Sequence, residues 1–244
     1  MIYAMLLCSG FGTRLGTLTE NTPKPMLMLG EKPILEHTIL HLKSFGIENI
    51  VINVHYQAEK ITSYFEDGRK FGVKITYSYE NELLGTSGSI KNVENILKQA
   101  ETFLVLYGDI VTNQNYAEFL KFHKSKNATA SIILHRRKKS NSYVIIDEEN
   151  KVTKFLERPT DDELIREKIN PDEEKWINSG LYCFDQNIFD FIKTGKSDFP
   201  KDVFPLLIKD GLLFGYPLSG YRCAIDTPER YYMIQSDYKN KLIF

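Results

Sequence analysis

The chain has 244 residues, of which 42% are hydrophobic and 26% are charged, and its formal net charge is −1. This length suits one α/β domain, or a main domain with a small appended lobe. The near-neutral charge provides no global field that would attract nucleic acid or an anionic membrane. We expect no membrane span, because no apolar run is long enough, and no secretory signal, because the N-terminus lacks a basic segment followed by an apolar one.

The cysteines Cys8, Cys183 and Cys223 are odd in number and far apart in the sequence. Such a set does not form a disulfide framework and is typical of a reducing compartment. We therefore expect three buried thiols in a cytoplasmic protein.

Apolar runs and helical spacings alternate along the first 134 residues. Alternation of this kind predicts an α/β fold with parallel crossovers and helices on both faces of the sheet. Ligands of such sheets bind beyond the carboxyl ends of the strands. The predicted strands are 2–7, 49–54, 74–79, 102–107 and 128–134, and the predicted helices are 34–45, 59–66, 88–98 and 116–126.

The pattern changes after residue 136. Two short apolar runs, 143–146 and 152–156, flank a polar turn and predict a hairpin. Residues 158–175 are highly charged, which indicates a solvated loop or a short exposed helix rather than a cation site. The remaining predicted elements are a strand at 177–184, short helical pieces at 188–192 and 203–208, a strand toward Asp226 and a helix at 228–239. We expect one compact unit without an appended domain.

Two patterns could suggest other kinds of site. His37 and His41 lie one turn apart on the predicted helix 34–45, but no glutamate lies between them, so a plain helix surface is favoured over a zinc site. The basic run 135–139 has no interleaved aromatic residues. A charged strand end is therefore favoured over a nucleic-acid contact.

The first predicted strand leads into a glycine loop. Gly10 and Gly12 lack Cβ atoms, so backbone N–H groups there can approach an anion. Arg14 adds a forked cation and Lys24 a compact one, which together suit a triphosphate. Position 15 is leucine, so the dinucleotide fingerprint is incomplete, and the Gly-Lys-Ser/Thr of a P-loop is absent.

Two aspartates follow predicted strands. Asp109 comes after the strand 102–107, and Asp226 comes before the last predicted helix. Mg²⁺ typically takes one or two carboxylates together with phosphate oxygens, so a pair is the useful number. Either carboxylate alone could instead cap the turn or helix that follows it. The sequence spacing does not show that the two meet.

In this order, these segments resemble the sugar-1-phosphate nucleotidyltransferase family. Within it, the chain is most similar to short bacterial guanylyltransferases for mannose or heptose 1-phosphate and to their uridylyltransferase relatives. The resemblance implies a Rossmann-like, mostly parallel sheet with a smaller β-rich part, in which residues 1–136 mainly bind nucleotide and residues 137–244 mainly bind sugar phosphate. The matching segments are 7–15, 23–25, 84–88, 108–109, 155–159, 178–182 and 226–228.

The implied reaction condenses a nucleoside triphosphate with a sugar 1-phosphate and releases pyrophosphate. Arg14 would hold the pyrophosphate, Lys24 would neutralise the α-phosphate, and Asp109 and Asp226 would bind Mg²⁺. The implied nucleotide-binding residues are Leu7, Ser9, Gly10, Gly12, Thr13, Glu80, Gly85 and Thr86. The implied sugar-binding residues are Glu157, Arg158, Asn178 and Gly180.

The chain departs from the family pattern on the sugar side. Arg158 replaces the usual lysine, Ser142 stands where relatives often have glycine, and the segment between Glu157 and Asn178 is longer than usual. The identity of the sugar therefore stays open. For the base, Glu80 can only accept hydrogen bonds, and the guanine edge can only donate them, so GTP is favoured over UTP.

Three alternatives to a guanylyltransferase stay open. They are a uridylyltransferase for another sugar 1-phosphate, a cytidylyltransferase for a substrate like phosphocholine, and a non-catalytic regulatory subunit that binds a nucleotide sugar. The sequence predicts no nucleic-acid partner and no membrane partner, and it leaves a homo-oligomer open.

Overall fold

A computed structural model describes residues 1–243 of the chain. The strands are β1 (Tyr3–Leu7), β2 (Met28–Leu29), β3 (Lys32–Pro33), β4 (Asn49–Val54), β5 (Lys74–Tyr79), β6 (Thr102–Tyr107), β7 (Ile110–Thr112), β8 (Ala130–Arg137), β9 (Ser142–Ile146), β10 (Val152–Glu157), β11 (Lys175–Asp185), β12 (Leu213–Pro217) and β13 (Arg222–Ala224). The α-helices are α1 (Ile34–Ser44), α2 (Ala58–Phe65), α3 (Gly85–Asn92), α4 (Glu94–Leu97), α5 (Tyr116–Ser125), α6 (Asp161–Arg166), α7 (Phe204–Lys209) and α8 (Pro228–Lys239).

A nine-stranded sheet forms the centre of the molecule, with the order β10-β9-β11-β6-β1-β4-β5. Beside this path, β8 pairs with β11, and β12 pairs with β8. Strand β1 is parallel to β4 and β6, whereas β11 is antiparallel to β6, β8 and β9. It follows that β10 and β11 run against the other seven strands. The predicted α/β class with a mostly parallel sheet is confirmed.

Alternating side chains of the central strands pack into two separate hydrophobic cores, one on each face of the sheet. Along β1, Met5 packs with α3, α4 and α7 on one face, and Leu6 packs with α1, α2 and α5 on the other. Both side chains are fully buried. Strands covered on both faces read as continuous apolar runs, which explains why β4 and β6 match the predicted strands at both ends, and the edge strand β5 also matches.

One predicted helix is wrong in its bounds. The helix expected at 88–98 begins at Gly85, ends at Asn92 and is followed by the short α4. The early start has a tertiary cause, because the Ser87 and Gly88 N–H groups both donate to Ser197 O at 3.1 Å. A distant loop thus satisfies the first turn of the helix, whose N–H groups have no partner within the helix.

The later elements are mostly as expected. The hairpin forms as β9 and β10, the charged segment contains the exposed helix α6, and the last helix matches at both ends. Strand β8 begins and ends later than predicted, because its charged end pairs with β11 as far as Arg137. The pieces at 188–192 and 203–208 are a 3₁₀ helix at Gln186–Phe191 and a π turn leading into α7. Strands β7 and β12 were not predicted.

The expected burial of the three cysteines is also confirmed. All three cysteines are buried and free. His37 Nε2 lies 2.8 Å from Leu29 O, and His41 Nε2 lies 2.9 Å from Gln114 O, so the two rings make separate backbone contacts. No helix in residues 1–243 is long and apolar enough to cross a membrane.

Candidate active site

Two cavities open beyond the carboxyl ends of the parallel strands, with volumes of about 400 and 410 Å³. The Tyr107 side chain, at the end of β6, lines both. The predicted residues in the first cavity are Leu7, Ser9, Gly10, Gly12, Thr13, Arg14, Lys24, Gly85, Thr86 and Asp109. Those in the second cavity are Glu157, Asn178, Gly180 and Asp226.

The glycine loop is held in shape by Gly12. This residue has a φ of +71°, which favours glycine, and its carbonyl accepts hydrogen bonds from Leu15 N and Thr19 Oγ1, both at 3.0 Å. A Cβ atom at Gly12 would lie 3.3 Å from the Cβ of Lys24. The close approach therefore brings the Lys24 side chain against the loop.

Asn53, at the end of β4, connects the first cavity to its surroundings and was missed by sequence reasoning. Its Oδ1 accepts a hydrogen bond from Cys8 N at 2.7 Å. Its Nδ2 lies within hydrogen-bond distance of Glu80 Oε1 (2.8 Å), Ser9 Oγ (3.0 Å) and Ser89 Oγ (3.1 Å). Asn53 is only 1% exposed, so this side chain fixes the strand end and the start of the loop from below.

Opposite charges meet where the two cavities adjoin. Lys24 Nζ contacts Asp109 Oδ2 directly, and Arg14 Nη1 lies 4.0 Å from Asp226 Oδ2. The Ile225 N–H donates to Asp109 O at 2.9 Å, which continues the pairing of β7 with β13. This ladder brings the backbones of Asp109 and Asp226 together although 117 positions separate them in the sequence.

The two aspartates fit a hard divalent cation. Asp226 Oδ1 is buried and accepts no well-aligned hydrogen bond among residues 1–243, although Arg230 Nη1 lies 3.2 Å away. A buried carboxylate oxygen that makes an ion pair but accepts no hydrogen bond is a suitable ligand atom for such a cation. Within residues 1–243 no cluster of three or more His, Cys, Asp or Glu side chains could hold a metal. A cation here would take its other ligands from phosphate oxygens or water.

A chain of hydrogen bonds joins the second cavity to Tyr107. Asn178 Nδ2 donates to Tyr182 Oη at 2.8 Å, and Tyr182 Oη donates to Tyr107 Oη at 3.1 Å. Asn178 Oδ1 also accepts from Gly180 N at 3.0 Å. These contacts occupy the Asn178 amide and the Gly180 N–H, so both residues shape the cavity wall through bonds within the protein.

Ser142 accounts for one of the departures from the family pattern. Its Oγ accepts a hydrogen bond from Asn178 N at 3.2 Å. The hydroxyl therefore supports β11 at the position where many relatives have only a glycine.

Burial shifts the pKa values of two titratable side chains in the second cavity. Burial raises the pKa of Glu157, an effect that Arg158 and Lys201 oppose. Burial next to Arg222 and Arg137 lowers the pKa of His135 to about 3, so this ring is neutral at physiological pH. Its Nδ1 lies 2.8 Å from Ser179 Oγ. The cations that line this cavity are therefore lysine and arginine side chains.

Two predicted residues lie outside both cavities. Glu80 is 5% exposed, and its two oxygens accept hydrogen bonds from Asn53 Nδ2 and Leu84 N. Arg158 extends into solvent with a side chain that is 73% exposed, and its Nε lies 3.8 Å from Glu157 Oε1. In this arrangement Glu80 is bonded within the protein and Arg158 faces solvent, and their contacts with a base and a sugar phosphate stay predictions.

Other predicted residues lie at the cavity with partners of their own. The Thr86 N–H and hydroxyl lie 3.0 and 3.2 Å from Asp198 Oδ1, and Gly85 packs against Ser197 O. Sequence reasoning missed Asp198, together with Tyr107, Arg222 and Arg230. For Tyr107 a signal was present, since it ends an apolar strand directly before Gly108-Asp109. The other three depend on contacts between distant segments.

Residues 3–240 match the Nucleotidyl transferase family. This chain belongs to that family. It is 34% identical over 226 residues to the UTP–glucose-1-phosphate uridylyltransferase of Synechocystis sp., with 86% of this chain and 56% of the relative covered. It is 32% identical over 243 residues to the mannose-1-phosphate guanylyltransferase catalytic subunit beta of Dictyostelium discoideum, with 98% and 65% covered. This nucleotidyl transferase chain thus spans less than two thirds of these curated relatives.

A solved structure resembles the whole chain. HddC from Yersinia pseudotuberculosis has a TM-score of 0.81 and 25% sequence identity, with 98% of this nucleotidyl transferase chain and 100% of HddC covered. HddC has also been solved in complex with GMP-PN, and that structure has a TM-score of 0.80 to this chain. Nucleotidyl transferases of this family generally use a divalent metal ion.

Proposed function

We propose that this nucleotidyl transferase condenses a nucleoside triphosphate with a sugar 1-phosphate to give a nucleoside-diphosphate sugar and pyrophosphate. The first cavity, mainly from residues 1–136, binds the nucleotide, and the second, mainly from residues 137–244, binds the sugar phosphate. Residue 244 lies outside the described residues. The reaction belongs to the cytoplasm, where nucleoside triphosphates are available.

One observation carries the proposal. Two cavities of similar volume share Tyr107 in their walls, the Lys24–Asp109 contact lies in the first, and the Arg14–Asp226 contact joins a residue of the first to a residue of the second. A transfer between two anionic substrates needs two adjoining chambers with positive charge at the junction. Lys24 and Arg14 supply that charge next to the two aspartates.

The chemistry explains why no general base is needed. The attacking oxygen belongs to a phosphate that is already ionised near neutral pH, and the main barrier is the repulsion between two phosphates that must approach in line. Fixed cations lower that barrier without reorganising during the reaction. Lys24 neutralises the α-phosphate, and Arg14 holds the departing pyrophosphate.

The proposed metal is Mg²⁺, held by Asp109 and Asp226. When bound, it would neutralise phosphate charge and align the two substrates. Lys24 keeps one oxygen of Asp109 in place, and Arg230 does the same for Asp226.

GTP remains the proposed nucleotide on the strength of the relatives. The similar HddC was solved with GMP-PN, and the Dictyostelium relative is a mannose-1-phosphate guanylyltransferase. UTP is the second candidate because the Synechocystis relative is a uridylyltransferase and Glu80 does not face the first cavity. Mannose or heptose 1-phosphate is the proposed acceptor.

The test is pyrophosphate release from GTP, UTP, CTP and ATP, each paired with mannose, glucose or heptose 1-phosphate or with phosphocholine. We expect release with one sugar phosphate and its loss in Asp109→Asn. Asp190→Asn is the matched control, because Asp190 is exposed and lies outside both cavities. Release with no pair at all would overturn the proposal, and normal turnover in Asp109→Asn would remove Asp109 from the mechanism.

A further inference from the structure

Arg222 occupies an unusual place in the wall of the second cavity. It lies on β13, opposite Thr112 of β7, and its guanidinium faces the space next to Asp226 and Arg230. Nε and Nη2 donate to the same acceptor, Ser179 O, at 3.1 and 2.9 Å. This forked contact fixes the plane of the guanidinium before any ligand arrives.

Among residues 1–243, the charge of Arg222 has no acidic partner in direct contact. No carboxylate oxygen in residues 1–243 lies within 4 Å of its nitrogens, and its other N–H groups donate to nothing in that range. Burial lowers the pKa of the guanidinium, and the more distant Asp109 and Asp226 oppose this effect. A partly buried cation without a carboxylate at its side favours an anion from outside.

Among the other cations at this cavity, Arg230 and Lys139 each have a carboxylate partner, and Arg137 is exposed to solvent. Arg230 Nη1 lies 3.2 Å from Asp226 Oδ1, and Lys139 Nζ lies 3.2 Å from Asp172 Oδ1. Arg158 extends into solvent outside the cavity. Arg222 therefore combines a fixed orientation, unused donors and direct access to the second cavity.

We propose that Arg222 binds the phosphate of the sugar 1-phosphate, in the position that the family resemblance assigns to Arg158. The inference rests on the proposed function, since it names the residue that recognises the acceptor's phosphate. The planar guanidinium, anchored on Ser179 O, presents its free N–H groups to two phosphate oxygens. Asp109 and Asp226 lie close by, so the bound phosphate is directed toward the junction with the first cavity.

Binding measurements test this without turnover. Calorimetry gives the Kd of mannose 1-phosphate, of inorganic phosphate and of GTP for the full chain and for Arg222→Gln. We expect Arg222→Gln to bind both phosphate probes about 10- to 100-fold more weakly, as for a lost charge-assisted contact. GTP affinity and thermal unfolding should stay close to those of the unmodified chain, which shows that Arg222→Gln is folded.

Three further arginine variants sharpen the test. Arg166→Gln, on the exposed helix α6, is the matched control and should leave all three affinities unchanged. Arg158→Gln should weaken the phosphate probes less than Arg222→Gln does, and the opposite order would overturn the proposal. Arg222→Lys keeps the charge but loses the fork, so its affinity should lie between those of the unmodified chain and Arg222→Gln.

The outcomes separate this inference from the proposed function. Pyrophosphate release with an unchanged KM for the sugar phosphate in Arg222→Gln would overturn the role of Arg222 and leave the function standing. No turnover with any substrate pair, together with loss of phosphate binding in Arg222→Gln, would overturn the function and leave an anion site at Arg222. Failure of the unmodified chain to bind either phosphate probe would overturn the inference.

Discussion

At the scale of single residues, Asn53 organises the floor of the first cavity without carrying a charge. It satisfies the Cys8 N–H at the start of the glycine loop and donates toward the buried Glu80 carboxylate. Both groups are shielded from water. A buried polar group that loses its hydrogen-bond partner destabilises the folded state. The Asn53 amide therefore stabilises the fold by bonding to Cys8 N and to the Glu80 carboxylate.

We expect Asn53→Ala to lower the free energy of unfolding by on the order of 3 kcal/mol, because a buried N–H and a buried carboxylate each lose a partner. GTP affinity should fall about tenfold as the loop loses its anchor, which corresponds to roughly 1.4 kcal/mol. Urea unfolding and calorimetry measure the two effects. Asn49→Ala, at the other end of β4, is the control and should change neither quantity appreciably. Equal values for the two variants would contradict this account.

Sequence reasoning identified the charged residues of the first cavity better than the neutral ones. Arg14, Lys24 and Asp109 follow a strand or a glycine loop, and such positions carry a local signal. The buried amide of Asn53 looks like an ordinary strand residue, because its partners lie 27 to 45 positions away. Arg222 was missed for the same reason, since Ser179, which orients it, is 43 positions away.

At the scale of elements, β11 changes partners at a bulge around Gly180. Before the bulge Trp176 pairs with β9, and beyond it Leu181 begins the pairing with β6, while β8 pairs with β11 both before and after the bulge. Gly180 has a φ of +73°, and a Cβ atom there would lie 2.7 Å from Ile110 Cδ1 and 3.0 Å from Tyr107 Cδ2. The bulge therefore needs both the left-handed backbone and the missing side chain.

Gly180→Ala and Gly46→Ala separate these two requirements. Gly46 has the same φ of +73°, but no atom lies within 4 Å of a Cβ placed there. We expect Gly46→Ala to cost about 1 kcal/mol of unfolding free energy from the backbone conformation. Gly180→Ala should cost about 1–3 kcal/mol more, because the added methyl group must displace packed side chains. Urea unfolding of both variants measures the difference, and equal costs would show that the bulge relaxes freely.

Local sequence patterns determine where the correctly predicted elements begin and end. Contacts between distant segments determine the ends of the other elements. Strands β4 and β6 are apolar runs that end where the chain leaves the core. Helix α3 begins early because Ser197 accepts from its first N–H groups. Strand β8 continues through charged residues because β11 pairs with them, and β12 contains Gly215 and Pro217, which weaken any strand pattern.

At the scale of the whole molecule, buried histidines make stability depend on pH. His123 is 2% exposed, and its Nδ1 lies 2.9 Å from Ser131 Oγ. Burial lowers the pKa of His123 from 6.5 to about 4. Between these two values the unfolded chain binds more protons than the folded one, so acid favours unfolding. The contribution of His123 is complete above pH 6.5 and declines as the pH falls toward 4.

We expect the free energy of unfolding to decrease between pH 7.5 and pH 5.0, with His123 alone accounting for on the order of 2 kcal/mol. His123→Asn keeps a polar group near Ser131 but removes the titration. Its own stability will be lower at pH 7.5, and its decline toward pH 5.0 should be shallower by that amount. Parallel declines in the two proteins, measured by urea unfolding, would assign the pH dependence to other groups.

Tyr107 contributes to the walls of both cavities. The ring is held on one side by the hydroxyl of Tyr182, which is in turn held by the Asn178 amide that also supports Gly180. Because Asn178 and Tyr182 belong to β11, we expect a ligand that displaces the Tyr107 ring from the first cavity to shift the part of β11 that lines the second.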